Sequence, residues 1–224
     1  MTEPDFSALR QTMLAEIAAK TIYDSARLGK AALSPRVMNA MAKVPRHEFV
    51  LLELRPYAYD DRPLPSGFDK TISQPFIVAV MTDLLDLRPT DTVLEIGTGM
   101  GYQTAILAEL AKHVYTIEII EELILQARHR LARQGHDNVS IRIGNGCGGW
   151  PEYAPFDKMM VTAAPELIPA ALIYQLKPGG KMVLPAGLPD AQQLMVVEKD
   201  AGGSVSTREI FPVRFSLLED AESV

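Results

Sequence analysis

Thr92–Glu118 reads TVLEIGTGMGYQTAILAELAKHVYTIE. It joins a β-prone run, three alternate glycines, a helix-compatible stretch, a second β-prone run and an acid. Thr92 to Ile96 are mostly β-formers. Gly97, Gly99 and Gly101 let the chain turn tightly and bring backbone close to a ligand. Gln103 to Lys112 carries Ala, Leu and Ile with neither Pro nor Gly, as a helix interior requires. Val114 to Ile117 predicts another strand, with Glu118 at its carboxyl end. An acid about 20 residues past such a loop is placed to accept hydrogen bonds from a ribose diol. The stretch therefore predicts an adenosine-containing cofactor and leaves its identity open.

The glycine spacing narrows the choice. A dinucleotide fingerprint is G-x-G-x-x-G, with the pyrophosphate at the helix N-terminus. Here Tyr102 stands where that fingerprint has its third Gly. G-x-G-x-G after an acidic strand resembles motif I of the Rossmann-like methyltransferases that bind S-adenosylmethionine, in which the loop cradles the methionine part. A nicotinamide or flavin site and a ligand-free turn are the alternatives.

Working outward, the downstream pattern alternates. It predicts strand 92–97, helix 102–112, strand 114–118, helix 120–134, strand 139–143, strand Lys158–Thr162, helix Glu166–Leu176, a turn at Pro178-Gly179-Gly180 and strand Lys181–Pro185. Such alternation implies a doubly wound α/β fold with a mainly parallel sheet. Gln193–Lys199 and Glu209–Leu217 predict closing antiparallel strands. Upstream, apolar positions at Leu9, Met13, Ile17 and Thr21-Ile22 predict a helix over Phe6–Gly29. Ser34-Pro35 predicts the start of a short helix through Val44. Pro45–Gly67 is expected to be irregular, and Gln74-Pro75 to open a helix reaching Leu85. With no repeat or linker in view, 1–224 is expected to form one methyltransferase domain. Residues 1–85 would be the N-terminal helical layer and substrate segment, and 86–224 the cofactor-binding core.

Composition excludes other classes. A net charge of −6 argues against a general nucleic-acid binder. The single Cys147 excludes an internal disulfide and fits a reducing compartment, and the four His show no metal-ligand spacing. MTEPDFSALR has no apolar signal core, and no run approaches a membrane span. A cytoplasmic protein that binds neither nucleic acid nor membrane is expected, with a monomer favoured. Cys147 reads as a small loop residue, His47 as structural, and Trp150 and Tyr153 as packing residues or part of a cofactor wall.

Further stretches carry a more specific resemblance. They are Pro45-Arg46-His47-Glu48-Phe49-Val50, the Y-x-D-x-P-L-P segment Tyr59–Pro65 and T-I-S-x-P at Thr71–Pro75. Others are GWPEYAPFD (149–157), VTAAP (161–165), LKPGG (176–180) and Val213-Arg214-Phe215. Together with the glycine loop, they make the chain resemble the protein-L-isoaspartate O-methyltransferases over nearly its whole length.

The resemblance implies methyl esterification, by S-adenosylmethionine, of the free α-carboxylate of L-isoaspartyl residues in aged peptides and proteins. By position, Ser73 matches the catalytic serine, and Thr71, Ile72 and Ser73 would line the gap between methyl group and acceptor. Glu95, Gly97, Thr98, Gly99, Gly101 and Tyr102 would form the cofactor loop. Glu118 would hold the ribose, and Asn145 and Gly146 would flank the adenine. Lys70, Thr71, Val213 and Arg214 would face the substrate. Ser73 is also a fitting N-cap for the helix at Gln74-Pro75. The chain departs from the family pattern at Asp69-Lys70, Asn145 and Phe76. Lys70 could attract an anionic substrate or pair with Asp69. The rival readings are a same-fold enzyme acting on another carboxylate, and a non-catalytic binding module.

Overall fold

The computed structural model describes residues 5–219; Met1–Pro4 of the polar N-terminal stretch lie outside it. Its centre is a seven-stranded sheet in the order β5-β4-β3-β6-β7-β8-β9. These strands are β3 (Thr92–Ile96), β4 (His113–Glu118), β5 (Val139–Ile143), β6 (Phe156–Val161), β7 (Leu176–Ala186), β8 (Gln193–Lys199) and β9 (Val205–Pro212). β3 to β7 run parallel; β8 and β9 are antiparallel. Chain order reverses beside β3, which pairs with β4 on one side and β6 on the other. In open α/β sheets such a switch point leaves a crevice at the carboxyl ends of the strands. The expected doubly wound sheet with closing antiparallel strands is therefore present.

The N-terminal layer comprises α1 (Phe6–Tyr23), α2 (Ser25–Leu28) and α3 (Pro35–Lys43). The single helix predicted over Phe6–Gly29 is interrupted at Asp24, whose backbone N–H caps the end of α1 and whose carboxylate pairs with Arg27. α4 (Pro75–Leu85) is apolar nearly all round and buried almost throughout, as a helix without a polar face must be. It packs on β6 and β7 beneath α1 and α3. One apolar cluster runs from Met13 and Met41 through α4 to Val183 and Phe211. The segment that enters α4 is thus anchored to the middle of the core.

Several boundaries differ from expectation. Within 45–67 lie two short 3-10 helices, Arg46–Glu48 and Leu52–Tyr57. A hairpin follows, formed by β1 (Leu64–Gly67) and β2 (Lys70–Ile72). Its tip residues Phe68 and Asp69 both have φ of 55°, without the Asn-Gly signal that announces such turns. The helix predicted over Glu166–Leu176 shortens to α7 (Ala170–Gln175), because Pro169 is its N-cap. LKPGG is a bulge inside β7 rather than a free turn: Phe156 pairs with Leu176, but Lys158 pairs with Lys181. The last strand ends at Pro212, five residues short of Leu217. The chain then crosses the carboxyl ends of the strands, held by Ala164 N–H to Ser216 O (2.8 Å) and Leu218 N–H to Ala164 O (2.9 Å). Among the described residues no helix is long and apolar enough to cross a membrane.

Candidate active site

The glycine loop joins β3 to α5 (Tyr102–Leu110), and each glycine does something different. Gly97 has φ +93°, and a Cβ there would overlap Thr162 Oγ1. That hydroxyl donates to Gly97 O at 2.8 Å. Gly99 has φ +53°, and a Cβ there would meet nothing within 4 Å: its free side is the pocket. Gly101 lies against Ala127 and Leu131 of α6 (Glu121–Arg133), so it permits helix packing and does not line the pocket. Glu118 accepts from Gly99 N–H (2.9 Å), Ile119 N–H (2.9 Å) and Ile120 N–H (3.1 Å). Its carboxylate thus both shapes the loop and stands at the pocket wall.

Besides Gly101, four residues expected at the cofactor turn their side chains away from the glycine-loop pocket. The Glu95 carboxyl is fully buried and accepts from the Thr104 and Thr116 hydroxyls, behind the loop. The Thr98 hydroxyl also turns inward, 2.7 Å from that of Thr116. Tyr102 is buried against Met41 and Arg46, touching only the innermost cavity. The Asn145 side-chain oxygen accepts from Cys147 N–H at 2.8 Å, capping the 146–148 turn. Gly144 and Gly146 line the pocket in its place. A Cβ on Gly146 would run into Ile96, so only glycine lets this loop approach β3.

Burial pushes the Glu95 carboxyl up to about 7, opposed by the two threonine hydroxyls and helped by the nearby Glu118 charge. The folded protein therefore holds a proton that the unfolded chain has lost, between about pH 4.5 and about 7. Stability from this group is complete below that window and lost as pH rises through it. Glu95→Gln should accordingly gain stability relative to the parent between pH 5 and pH 8, by about 3 kcal/mol at most. Urea unfolding at the two pH values reads the difference, and a gap that does not change with pH would refute the buried-acid account.

The hairpin β1–β2 delivers Thr71, Ile72 and Ser73 to the other side of the crevice. Ser73 is half-buried and does not cap α4; the N-cap is Gln74, with no side-chain cap bond. Among the described residues the Ser73 hydroxyl has no hydrogen-bond partner. Its main chain, by contrast, is held. Arg46 Nη2 donates to Ser73 O at 2.7 Å. Asp61 accepts from Phe76 N–H (2.8 Å) and Gln74 Nε2 (2.9 Å) and pairs with Lys20. Lys70 pairs with neither a free anion nor Asp69 but with Glu219 on the C-terminal segment.

Three spaces meet at this point. The glycine-loop pocket is bounded by Gly97, Gly99, Glu118, Gly144 and Gly146 and roofed by Leu217 and Leu218. A cleft of about 440 Å³ lies on the far side, between Ser73, Ile77, Pro212 and Val213–Ser216. A small inner cavity touches Ile72, Ser73 and Tyr102. Thr71 and Thr162 border all three. Val213 N–H donates to Gln192 O at 3.0 Å, and Phe215 N–H to Gln192 Oε1 at 2.6 Å. The Val213 amide is therefore committed, while Arg214 is exposed on the cleft wall. A larger cavity, about 620 Å³, is elsewhere: it touches Leu87 and Leu110, which precede β3 and β4, and so opens at the opposite edge of the sheet.

Sequence reasoning missed Arg46, Asp61, Thr162 and Gln192 as site residues, and the 216–219 roof. Arg46, Asp61 and Thr162 fall inside quoted motifs, but only long-range contacts show what they do. A pocket with glycine backbone on one wall and a carboxylate on another suits an adenosyl ligand with a free amino acid end. Among the described residues no group of three or more His, Cys, Asp or Glu is placed to hold a metal ion.

Residues 19–223 match the family profile of protein-L-isoaspartate(D-aspartate) O-methyltransferase. The protein-L-isoaspartate O-methyltransferase 1 of Polaromonas sp. is 81% identical over 99% of this chain and 94% of its own length. A solved protein-L-isoaspartate O-methyltransferase is 27% identical with a TM-score of 0.76, covering 91% of this chain and 66% of that longer one. A Plasmodium falciparum structure in complex with S-adenosyl-L-homocysteine superimposes with a TM-score of 0.80 at 22% identity, over 97% of this chain and 99% of that one, and shows the shared fold.

Proposed function

The chain belongs to the protein-L-isoaspartate(D-aspartate) O-methyltransferase family, which methylates L-isoaspartyl residues with S-adenosylmethionine, and from that premise we propose how its own residues share the work. The observation that carries the proposal is the Ser73 hydroxyl, without a partner among the described residues, where the glycine-loop pocket meets the cleft.

Bound in the pocket, the cofactor supplies a methyl group already activated on a sulfonium. Gly99 and Gly146 give it room, and Glu118 presents a carboxylate to the ribose side. The acceptor carboxylate, with an ordinary pKa near ~4, is ionised at neutral pH and needs no base. What remains is alignment and exclusion of water. Ser73 Oγ donates to one carboxylate oxygen and leaves the other to face the methyl group. Thr71 and Thr162 form the neck between the two spaces, and Ile77 and Pro212 keep the cleft wall apolar. The Val213 carbonyl and the Arg214 amide present main chain to a peptide lying along the cleft. With Lys70 neutralised by Glu219, Arg214 is the exposed cation at this wall and draws in the anionic residue. Asp69-Lys70 thus serves to tether the hairpin and does not select another acceptor.

Residues 1–224 act as one methyltransferase unit, in this reading, as a cytoplasmic monomer that binds neither nucleic acid nor membrane. The deciding experiment supplies labelled cofactor with an isoaspartyl peptide and with its aspartyl twin, and counts base-labile ester. Label on the isoaspartyl peptide alone is expected. Equal labelling of both would point to a different carboxylate acceptor.

A further inference from the structure

We propose that Arg46 is a positioning residue for methyl transfer: it fixes the main chain of Ser73, and through it the acceptor carboxylate. The inference rests on the assignment of Ser73 above. Arg46 is the largest of the fully buried side chains, with no exposed surface. Its Nε donates to Ala58 O at 2.8 Å and its Nη2 to Ser73 O at 2.7 Å. Its guanidinium carbon sits 4.7 Å from the centroid of the Tyr102 ring, in the first turn of α5. One side chain thus ties together the N-terminal layer, the reactive segment and the helix that leaves the glycine loop.

Packing alone does not call for this residue. Burying a guanidinium is unfavourable, and apolar residues of similar volume often serve stability better. Nη1 has no partner among the described residues, which adds to the penalty. What the guanidinium offers is a rigid fork that fixes two carbonyls in different directions at once. The residues that follow are held by the anion Asp61, which accepts from Phe76 N–H and Gln74 Nε2. Ser73 is therefore held at its own carbonyl by Arg46, and the chain just after it by Asp61, while its hydroxyl stays unengaged. The main chain is fixed, and only the side-chain rotamer is left to the substrate. In-line transfer is sensitive to such placement, since a shift of about 1 Å at a reacting group can cost about 100-fold.

The test measures single-turnover methyl transfer to an isoaspartyl peptide for Arg46→Lys and Arg46→Met, each also combined with Ser73→Ala. Cofactor affinity is measured by calorimetry on each variant. Arg46→Lys keeps the charge but not the fork, and should slow transfer about tenfold while cofactor affinity stays within about twofold. With Ser73 already replaced, the same substitution should change the rate by less than about twofold, because there is no hydroxyl left to misplace. Arg46→Met leaves two buried carbonyls unpaired; should it fail to fold, the lysine variant carries the test alone. Equal slowing in both backgrounds, or a matching loss of cofactor affinity, would make Arg46 a purely structural residue and overturn the proposal. So would an unslowed Arg46→Lys. If Ser73→Ala by itself leaves the rate unchanged, the site assignment falls first and this inference with it.

Discussion

Ser73→Ala is expected to lower kcat/KM for an isoaspartyl peptide by about 10- to 100-fold, with cofactor affinity changed less than about twofold. The magnitude is that of a hydrogen bond to a charged group, about 1.5–3 kcal/mol, removed where the acceptor carboxylate is held. Folding should be little affected. The hydroxyl caps nothing, since α4 begins after Gln74 without a side-chain cap bond. The loss is therefore a loss of chemistry and not of structure, and melting curves of parent and variant should coincide within a degree or two. Steady-state kinetics with the peptide, beside a cofactor titration, separate the two. An unaltered kcat/KM would remove Ser73 from the mechanism, and a parallel fall in melting temperature would recast it as a structural residue.

The second large effect contrasts two neighbouring glycines. Gly97→Ala places a methyl group on Thr162 Oγ1, at a φ of +93° that side chains rarely adopt. The threonine would have to move, giving up its bond to Gly97 O. Backbone strain of about 1–3 kcal/mol and the lost hydrogen bond of about 1 kcal/mol together predict about 2–4 kcal/mol of destabilisation. For a chain of this size that lowers the melting temperature by about 10 °C. Gly99→Ala meets no atom within 4 Å and sits at φ +53°, in the ordinary left-handed region. It should cost only about 1 kcal/mol of stability yet weaken cofactor binding, because its methyl enters the pocket. Thermal melts with and without cofactor decide it. A Gly97→Ala protein that melts like the parent, or a Gly99→Ala protein that binds cofactor as tightly as the parent, would contradict the assigned roles of the two positions.

The departures from the family pattern show how sequence and structure divide the information. Asp69, at one of these departures, adopts φ of 55°, a conformation that Asp tolerates better than most residues. The hairpin survives the change. Lys70 finds its partner 149 positions along the chain, in Glu219, and that pairing was not visible in the local pattern. Phe76 faces Phe211 at 6.4 Å between ring centroids and lies within the core, so this departure is a matter of packing. The Asn145 departure falls on a side chain that caps a turn, while the flanking Gly144 and Gly146 line the pocket.

What the sequence determined by itself was everything with a short period. The β–loop–α–β order around Thr92–Glu118, the parallel sheet and the two antiparallel closing strands follow from residue alternation and glycine spacing, which act over a few residues. The family was legible for the same reason: its motifs, Thr71-Ile72-Ser73 among them, are contiguous. Tertiary structure decided the rest. Whether Glu95 faces cofactor or core depends on Thr104 and Thr116 closing over it, and whether Gly101 lines a pocket depends on α6 arriving behind it. The grip of Arg46 on Ser73 spans 27 positions, and the Gln192 clamp on Phe215 spans 23. Such contacts are set by which elements the packed core brings side by side, and no local periodicity encodes that choice.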